Sequence, residues 1–479
     1  MTQSISAART AALVEGFDRN PAYAGLADAL RLLIGDGRIG VGVRLPSERD
    51  LTERLGVSRT TVTRAYAALR ETGYAEARQG AGTFTRVPGG RARAHDRALL
   101  PRPGDTDAID LNCAAASAPP GVAAAYSEAA AQLPAYLGGH GYFPAGLPEL
   151  QSAIAATYER RGLATAPEQI MVTPGALSAA AIVARALTGP RDRVLVESPV
   201  YPNATQAIAT AGARLTGVAV DPDGWDLDLV GSTLRQVRPR LAYLIPDFQN
   251  PTGRLMAEPE RRGYARHLKR TGTVAVVDEA HQALALDGQE MPPPFAAFAP
   301  DAITIGSASK AFWGGLRLGW IRAPRELVDA LTRTRVGLDL GAPVMEQLVL
   351  LRLLDDADTV IAEQRRRLRE QRDRLAAALA EHLPEWRYRL PGGGLAMWCE
   401  LPEALGTAVV DEADRLGVIV APGPAFAVEG GLDRYVRVPW TRPPEVLEEA
   451  VRRLARAWER VTGSRGGRPE RGPDRVLVA

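Results

Sequence analysis

The stretch SASKAFWGGLRLGW, Ser307–Trp320, contains one of only two lysines in a chain of 479 residues that carries 58 lysines and arginines together. Arginine can supply a positive charge, but a guanidinium with a pKa above about 12 does not condense with an aldehyde as a primary amine does. Lys310 follows an apolar run and small hydroxyl residues, whereas Lys269 lies at a polar helix end beside Arg270. We therefore interpret Lys310 as a candidate for covalent chemistry and Lys269 as a solvated cation.

Lys310 lies in a long region where short β-branched runs alternate with helical patterns rich in Ala, Leu and Arg. Five runs, QIMVT, DRVLVESP, LAYLIPD, TVAVVDEA and AITIGS, are predicted to be strands. Strands that alternate with helices indicate a mostly parallel sheet covered by helices on both faces. This α/β region is predicted to span residues 109–462.

The remaining chain is predicted to form a second, smaller domain and its connections, because 479 residues exceed one ordinary core. Short helical patterns with a glycine-rich end indicate a domain at 19–87. A flexible N-terminus is predicted at 1–18. The Pro-, Gly- and Arg-rich residues 88–108 are interpreted as a linker, and 463–479 as a disordered tail.

Composition is typical of a globular protein, with 46% hydrophobic and 24% charged residues. The sequence has no run of 18 uncharged apolar residues and no signal-peptide pattern at its start. Cys113 and Cys399 are too few for a disulfide framework and too far apart for a metal site. A cytoplasmic location is predicted.

The net charge of +2 does not indicate what the whole chain binds. The first 100 residues are mildly basic, however, and a basic region suits binding to nucleic acid.

Two short helical patterns near the N-terminus indicate a helix-turn-helix. The first begins after Ser47 and ends at Gly56, and the second begins after Ser58 and ends at Gly73. The hairpin that follows has its tip at residues 78–82. The exposed positions near the start of the second helix, predicted to meet DNA, are Arg59, Thr60, Thr61, Thr63 and Arg64. The pattern alone fits a small bundle with solvated arginines equally well.

The stretch RLPSERDLTERLGVSRTTVTRAYAALRETGYAEARQGAGTFT, Arg44–Thr85, resembles the winged-helix domain of the GntR family over nearly its whole length. The shared features are the P-S-E-R-x-L entry, the S-R-x-T-V helix and the G-x-G-T-F wing. The resemblance implies binding to double-stranded DNA. Its DNA contacts would fall on Arg49, Ser58, Arg59, Thr60, Thr61, Gln79 and Gly80.

The sequence around Lys310 also offers the partners that pyridoxal phosphate needs. Asp278 ends an apolar strand, where it can keep the pyridine nitrogen protonated, although a strand-end Asp can equally cap a following helix. Asn250, in an Asn-Pro-Thr-Gly turn, can donate to a phenolate oxygen. The candidates for the phosphate are a glycine turn into a helix, two hydroxyls and one guanidinium: Gly175, Ala176, Leu177, Ser307, Ser309 and Arg317.

Seven motifs in order make residues 110–460 resemble a class I/II aminotransferase of fold-type I: GLPEL, TPGA, SPVYPN, QNPTG, VVDEA, SASK and RVPW. The resemblance implies a pyridoxal-phosphate-dependent transferase fold with a small C-terminal α/β subdomain. It implies that Lys310 forms the internal aldimine, that Asp278 pairs with the pyridine nitrogen and that Asn250 contacts the 3′-oxygen. Tyr201 would stack on the ring, and Arg437 would clamp a carboxylate of a substrate or effector.

The sequence departs from this family at two positions. His281 stands where the family places a Tyr against the cofactor's 3′-oxygen, and a histidine can donate the same hydrogen bond. Gly141, followed by Tyr142, stands where the family often places a Tyr that reaches the phosphate of a neighbouring subunit.

A GntR-type head, an arginine-rich linker and an aminotransferase-like domain together resemble the MocR/GabR family of bacterial transcription regulators. The resemblance implies a homodimer on an operator with repeated half-sites, and an effector that is pyridoxal phosphate or an amino compound. An aminotransferase that carries a DNA-binding head is the alternative, although any transamination is expected to be weak or limited to a half-reaction. A third possibility is that the large domain is only a dimerisation scaffold.

Overall fold

The computed structural model describes residues 4–35, 38–86, 88, 108–220 and 224–463. The predicted linker and tail lie almost entirely outside these described residues. The described residues form two compact units: the first contains 4–86 together with 118–128, and the second contains 108–117 together with 129–463. Residues 118–128 thus fall outside the unit predicted for them, and the methyl group of Ala123 would lie 3.7 Å from a side chain placed at Gly35.

The first unit is a helical domain with a short hairpin. Its elements are α1 (Ala7–Leu13), α2 (Ala22–Gly35), α3 (Glu48–Leu55), α4 (Arg59–Glu71), β1 (Ala75–Arg78) and β2 (Gly82–Thr85). The Ser47 side chain accepts from the Asp50 amide and the Ser58 side chain from the Thr61 amide, which confirms both predicted helix starts. Helix α3 ends at Gly56, whose φ of 62° is left-handed.

The core of this unit is formed by one apolar face of each helix. The residues predicted as the stripe of α4, namely Val62, Ala65, Tyr66 and Leu69, are all buried. The Tyr66 hydroxyl donates to the Pro46 carbonyl at 3.0 Å and so ties α4 to the segment that precedes α3. The helix-turn-helix is therefore stabilised by its own buried face and by this hydrogen bond. The opposite face of α4 lies at the surface.

The N-terminus was expected to be flexible over residues 1–18, and its described part instead contains α1. The Ser6 side chain caps this helix by accepting from the Arg9 amide at 3.2 Å. Thr10 and Val14 are buried, and the Ile5 amide donates to the Arg44 carbonyl at 3.1 Å. A helix of seven residues is too short to be stable alone, so its order comes from packing that the local sequence does not reveal.

The second unit is an α/β fold. It contains β3 (Ile109–Asp110) and the end of α5 (Val122–Gln132), a helix whose first seven residues belong to the first unit. Its other helices are α6 (Pro148–Arg160), α7 (Ala176–Leu187), α8 (Pro202–Thr210), α9 (Leu227–Val237), α10 (Glu258–Thr271), α11 (Ala308–Ala311), α12 (Arg325–Val336), α13 (Val344–Asp355), α14 (Ala357–His382), α15 (Gly406–Arg415) and α16 (Pro444–Gly463). Its further strands are β4 (Ile170–Thr173), β5 (Arg193–Ser198), β6 (Arg214–Ala219), β7 (Leu241–Leu244), β8 (Val274–Asp278), β9 (Ile303–Ser307), β10 (Gly319–Arg322), β11 (Ala396–Glu400), β12 (Val418–Ile419), β13 (Ala421–Pro422) and β14 (Tyr435–Pro439).

Within the described residues the main sheet has seven strands in the order β4-β10-β9-β8-β7-β5-β6. All five predicted strands belong to it, and the pairs among β5 to β9 are parallel, as expected. Strands β6 and β10 were not predicted. Strand β10 runs antiparallel between β4 and β9 and begins at Gly319, nine residues after Lys310. Apolar clusters cover the sheet on both faces.

The C-terminal part has a separate small sheet, in which β14 pairs with β11 and β13. Helices α14, α15 and α16 pack against it around a cluster that includes Leu375, Trp440 and Leu454. This arrangement is the predicted small α/β subdomain. None of the helices in the described ranges is long and apolar enough to cross a membrane.

Replacing Thr85 by Val is expected to destabilise the wing of the first unit. The Thr85 hydroxyl is buried, accepts from the Val43 amide at 2.9 Å and donates to the Gly40 carbonyl at 2.6 Å. Because valine has the same shape and satisfies neither group, we expect a loss of about 1–3 kcal/mol. Faster hydrogen exchange at the Val43 amide would report it, with Thr83→Val as the control. Unchanged exchange in Thr85→Val would contradict the assignment.

Candidate cofactor site and DNA-binding surface

A cavity of about 490 Å³ lies in the second unit, among residues that follow the carboxyl ends of the central strands. In open α/β sheets this edge is where ligands bind. The predicted cofactor residues that line the cavity are Ala176, Leu177, Tyr201, Asn250, Asp278, His281, Ser307, Ser309, Lys310 and Arg317. Residues separated by more than 100 positions in sequence thus meet in one place.

Lys310 lies in α11, the short helix that follows β9. Its Nζ donates to the Ala114 carbonyl at 2.9 Å. Burial lowers the pKa of Lys310 to about 8, and the guanidinium groups of Arg437 and Arg317 act in the same direction, whereas the carboxylate of Asp278 opposes the shift. About a tenth of the amine is therefore neutral, and so nucleophilic, at pH 7.

Asp278 ends β8 and is buried. Its Oδ2 accepts from the Tyr243 hydroxyl at 2.5 Å, and its Oδ1 accepts from the Ala280 amide at 2.8 Å. Burial raises the pKa of Asp278, while both hydrogen bonds and the nearby ammonium of Lys310 lower it. The carboxylate stabilises the turn after β8 through the Ala280 amide. It also lines the cavity, where it could pair with a cationic ring nitrogen.

The expected phosphate cradle is a tight turn between β4 and α7. Gly175 has a φ of 97°, and α7 begins at Ala176, so free backbone amides are presented at the start of a helix. A methyl group at Gly175 would lie 3.0 Å from Nη2 of Arg317. A methyl group at Gly319 would lie 2.7 Å from the Ala176 nitrogen, which requires glycine there. The guanidinium and the amides therefore converge on one small region.

Arg437, in β14, does not line the cavity. It is fully buried, donating from Nη1 to Asn250 Oδ1 at 3.2 Å and from Nη2 to the Asn112 carbonyl at 2.7 Å. Its guanidinium also lies 4.8 Å from the centre of the Phe426 ring. The arginine thus contacts the site through Asn250, whose amide orientation it fixes. Its role towards a carboxylate stays a prediction.

His281 lies three residues beyond Asp278 and is 6% exposed. Its Nδ1 is 3.0 Å from the Phe248 carbonyl oxygen, and its Nε2 has no hydrogen-bond partner among the described residues. Burial, together with the charges of Lys310 and Arg437, lowers the pKa of His281 to about 3. The imidazole is therefore neutral.

Several residues of the site were not anticipated from the sequence. Tyr243 holds Asp278, Asn203 donates from Nδ2 to the Tyr201 hydroxyl at 3.0 Å, and Cys113 lines the cavity beside Lys310. Burial raises the pKa of the Cys113 thiol. Tyr243 could have been noticed as the one residue with a polar group in an otherwise apolar strand. Nothing in the local sequence around Cys113 indicates its proximity to the lysine.

In the first unit most of the predicted DNA contacts lie at the surface. Arg49, Ser58, Arg59 and Thr60 are exposed around the start of α4, and Gln79 and Gly80 are exposed at the tip of the hairpin. Thr61 is partly buried, and its hydroxyl lies 2.8 Å from that of Ser58. The start of α4 and the hairpin tip are thus available for contact, as a winged helix-turn-helix requires.

Two of the predicted contacts are engaged within the unit itself. The Thr63 hydroxyl donates to Glu48 Oε2 at 2.7 Å, and the Arg64 guanidinium lies 3.7 Å from the centre of the Tyr23 ring. Glu48 also lies 3.9 Å from Nε of Arg59. Thr63 and Arg64 therefore stabilise the helix-turn-helix in this structure, and their contact with DNA stays a prediction.

The fold and the site define a winged-helix DNA-binding domain joined to a pyridoxal-phosphate-dependent transferase fold. Residues 117–454 match the family described as aminotransferase class I and II, and residues 22–85 match the bacterial regulatory proteins of the gntR family. The chain belongs to the aminotransferase class I and II family and carries a GntR-type domain at its N-terminal end. This layout is that of MocR/GabR-type transcription regulators.

Individual relatives fall into two groups. The chain is 29% identical over 465 residues to the HTH-type transcriptional regulator YdcR of Escherichia coli, covering 91% of this chain and 98% of that protein. It is 34% identical over 299 residues to a 2-aminoadipate transaminase of Thermus thermophilus, covering 61% of this chain and 75% of that protein. The crystal structure of LysN from T. thermophilus, in complex with N-(5′-phosphopyridoxyl)-L-leucine, superposes with a TM-score of 0.69 at 31% identity, covering 75% of this chain and 94% of that one.

These comparisons indicate pyridoxal phosphate as the cofactor, and the cavity fits it. The cavity offers an amine, a buried carboxylate, a helix N-terminus beside a guanidinium, and the buried unpaired nitrogen of His281. These groups match, in kind, the aldehyde, the ring nitrogen, the phosphate and the remaining polar substituent of the cofactor.

Competitive acylation of the protein without cofactor should reveal the lowered pKa of Lys310. Since the amine reacts only when neutral, its reactivity should rise to about pH 8 and then level off. Lys269, the other lysine of the chain, is labelled in the same sample and serves as the reference for mass spectrometry. A reactivity that keeps rising towards the ordinary lysine value of 10.5 would contradict the assignment.

Proposed function

We propose that this regulator senses pyridoxal phosphate, or an amino compound that reacts with it, at Lys310, and that occupancy of the site changes its affinity for DNA. The observation that carries the proposal is the combination, in one chain, of a cavity lined by ten of the eleven predicted cofactor residues with an exposed recognition helix. A free-standing enzyme has no use for Arg59 and Thr60 at the start of α4. Binding to DNA also agrees with the predicted cytoplasmic location.

Each cavity residue has a role that follows from its chemistry. The bound cofactor supplies an aldehyde that condenses with primary amines, and a protonated ring that withdraws electrons. Lys310 supplies the amine, which its lowered pKa keeps partly neutral. Asp278, held by Tyr243, stabilises the proton on the ring nitrogen. The amides of Ala176 and Leu177, with Ser307, Ser309 and Arg317, would bind the phosphate, and Gly175, whose own amide donates to the Thr173 carbonyl at 2.8 Å, would shape the turn.

The remaining residues shape the pocket. Tyr201, whose hydroxyl accepts from Asn203, would cover one face of the ring. Asn250 would donate to the ring oxygen, because its Oδ1 already accepts from Arg437. A carboxylate of the effector would compete with Asn250 for that guanidinium, so binding of a carboxylate would shift the loop that carries Asn250. The effector is accordingly proposed to be an amino compound with a carboxylate, or the cofactor alone.

Homodimerisation is proposed from an apolar surface of the second unit. Leu137, Tyr142, Val336, Leu338 and Leu340 are all exposed. The two segments that carry them adjoin, since a methyl group at Gly341 would lie 2.7 Å from the Phe143 carbonyl oxygen. Contiguous exposed apolar residues of this kind mark an interaction surface. A second copy of the chain would cover the patch, and a dimer suits an operator with repeated half-sites.

Leu338→Asp should weaken the dimer, because it places a charge in the proposed apolar contact. Sedimentation velocity of the full chain would show a shift from dimer to monomer. Leu390→Asp is the matched control, since Leu338 and Leu390 are both 47% exposed and only the first lies in the patch. Equal dissociation of both variants, or of neither, would contradict the proposed surface.

A working aminotransferase is the second candidate, and the observation that favours it is the cavity itself, with Lys310 and Asp278 in place. Multiple turnovers with an amino acid and an oxo acid would support it. A half-reaction alone, or no reaction, would favour the sensor.

Arg59→Ala and Lys310→Ala should separate the two activities of the chain. Arg59→Ala is expected to weaken sequence-specific DNA binding by about 1–3 kcal/mol while leaving the absorption of bound pyridoxal phosphate unchanged. Lys310→Ala should lose the part of the cofactor absorption that depends on the lysine while its helix-turn-helix stays folded. Fluorescence anisotropy with DNA selected from a random pool, together with absorption spectra, measures both.

Arg31→Ala is the control for loss of positive charge, because Arg31 lies on α2 and pairs with Asp28 at 3.3 Å. If Arg59→Ala binds DNA as Arg31→Ala does, the assignment of the recognition helix fails. If Lys310→Ala and the wild type give the same spectrum with pyridoxal phosphate, the second unit is only a scaffold.

A further inference from the structure

The buried imidazole of His281 has a hydrogen-bonding state that the surrounding groups determine. A carbonyl oxygen can only accept, so the 3.0 Å contact with the Phe248 carbonyl places a proton on Nδ1 of His281. The charged groups that act on the ring are the cations Lys310 and Arg437, which disfavour a second proton. The ring is therefore neutral, and Nε2 carries a lone pair.

His281, the residue that carries this lone pair, lines the binding cavity. Its Nε2 is buried without a partner among the described residues. A buried acceptor left unpaired is destabilising. A ligand that presents a hydrogen-bond donor at this point would satisfy it, whereas a ligand that presents a second acceptor would not.

The chemical structure of pyridoxal phosphate indicates which of its atoms lies there. On its ring the aldehyde carbon lies opposite the nitrogen, with the phosphate arm on one side and the hydroxyl on the other. With the nitrogen at Asp278, the aldehyde at Lys310 and the phosphate at Arg317, the hydroxyl points away from the cradle. Of the other polar side chains in the cavity, Tyr201 and Asn203 are bonded to each other, whereas Nε2 of His281 lacks a partner among the described residues. The hydroxyl is therefore assigned to His281 and to Asn250.

Asn250 and His281 are tied to the same loop, because His281 is bonded to the backbone of Phe248, two residues before Asn250. Asn250 uses its Oδ1 to accept from Arg437, which leaves its amide hydrogens to donate. One neighbour of the ring oxygen is therefore a donor and the other an acceptor. Only a hydroxyl can satisfy both, since a phenolate oxygen has no hydrogen to offer to His281.

We propose that His281 is a positioning residue that selects the hydroxyl form of the bound cofactor, accepting the ring hydroxyl's hydrogen at Nε2 while Asn250 donates to the same oxygen. This inference rests on the cofactor placement proposed above. It reverses the sequence-based expectation that His281 donates to the oxygen. A tyrosine at this position would donate and so favour the phenolate.

The first test uses the protein without cofactor. Nitrogen-15 NMR of the histidine side chains distinguishes the two neutral tautomers and the imidazolium, and the signal of His281 is identified by its absence in His281→Tyr. The expected result is a neutral ring with its proton on Nδ1 throughout the neutral pH range. A proton on Nε2, alone or in an imidazolium, would overturn the proposal.

The second test compares the absorption of bound pyridoxal phosphate in the wild type and in His281→Tyr. The wild type should favour the near-ultraviolet band of the hydroxyl form, and His281→Tyr should shift the absorption to the visible band of the phenolate. His382→Tyr, which changes a histidine of α14 outside the cavity, should leave the spectrum unchanged.

The outcomes separate this inference from the proposed function. Bound cofactor with the same band ratio in the wild type and in His281→Tyr would overturn the role of His281 alone. If the wild type retains no cofactor, the proposed site itself fails. If only His281→Tyr fails to bind, the wild-type band and the NMR tautomer decide, and a wild type dominated by the visible band would overturn the proposal.

Discussion

The organisation of the large unit depends on one buried carboxylate at the end of a central strand. Asp278 is held by the Tyr243 hydroxyl from the neighbouring strand and by the Ala280 amide in the turn that follows. Burying a carboxylate is costly unless it is hydrogen-bonded and finds a countercharge. Lys310 offers part of that compensation in the protein alone, and a protonated ring nitrogen would offer more. The site is thus prepared for a cationic heterocycle before one binds.

Much of the fold could be predicted because short sequence patterns mark the ends of its helices and strands. The caps at Ser47 and Ser58 and the apolar strand that ends at Asp278 each show in a few neighbouring residues. Helix α1 could not be predicted, because its order comes from contacts with distant residues such as Arg44. Strand β10 begins with Gly319, a poor strand former whose place is required by the close approach of Ala176.

The residues that form the cofactor site could be predicted from the sequence, but most of their hydrogen-bond partners could not. Lys310 could be singled out because the chain contains so few lysines, and its neighbours by motif. The partner of Asp278 lies 35 positions away, and the partner of Arg437 lies 187 positions away. The direction of the His281 hydrogen bond depends on a carbonyl of a loop 33 residues earlier, which no local pattern contains. The motifs thus identified which residues form the cofactor site. The tertiary structure was needed to decide which of these residues donate hydrogen bonds and which accept them.

The central claim is that chemistry at Lys310 controls binding to DNA, and by linkage a ligand that alters DNA affinity must itself bind differently when DNA is present. The most direct measurement is the DNA affinity of the full chain with and without pyridoxal phosphate, in the wild type and in Lys310→Ala. The account predicts a change of about 5- to 150-fold in the wild type and little change in Lys310→Ala. Equal affinity in all four samples would show that this cofactor alone does not control the DNA-binding domain and would contradict the claim.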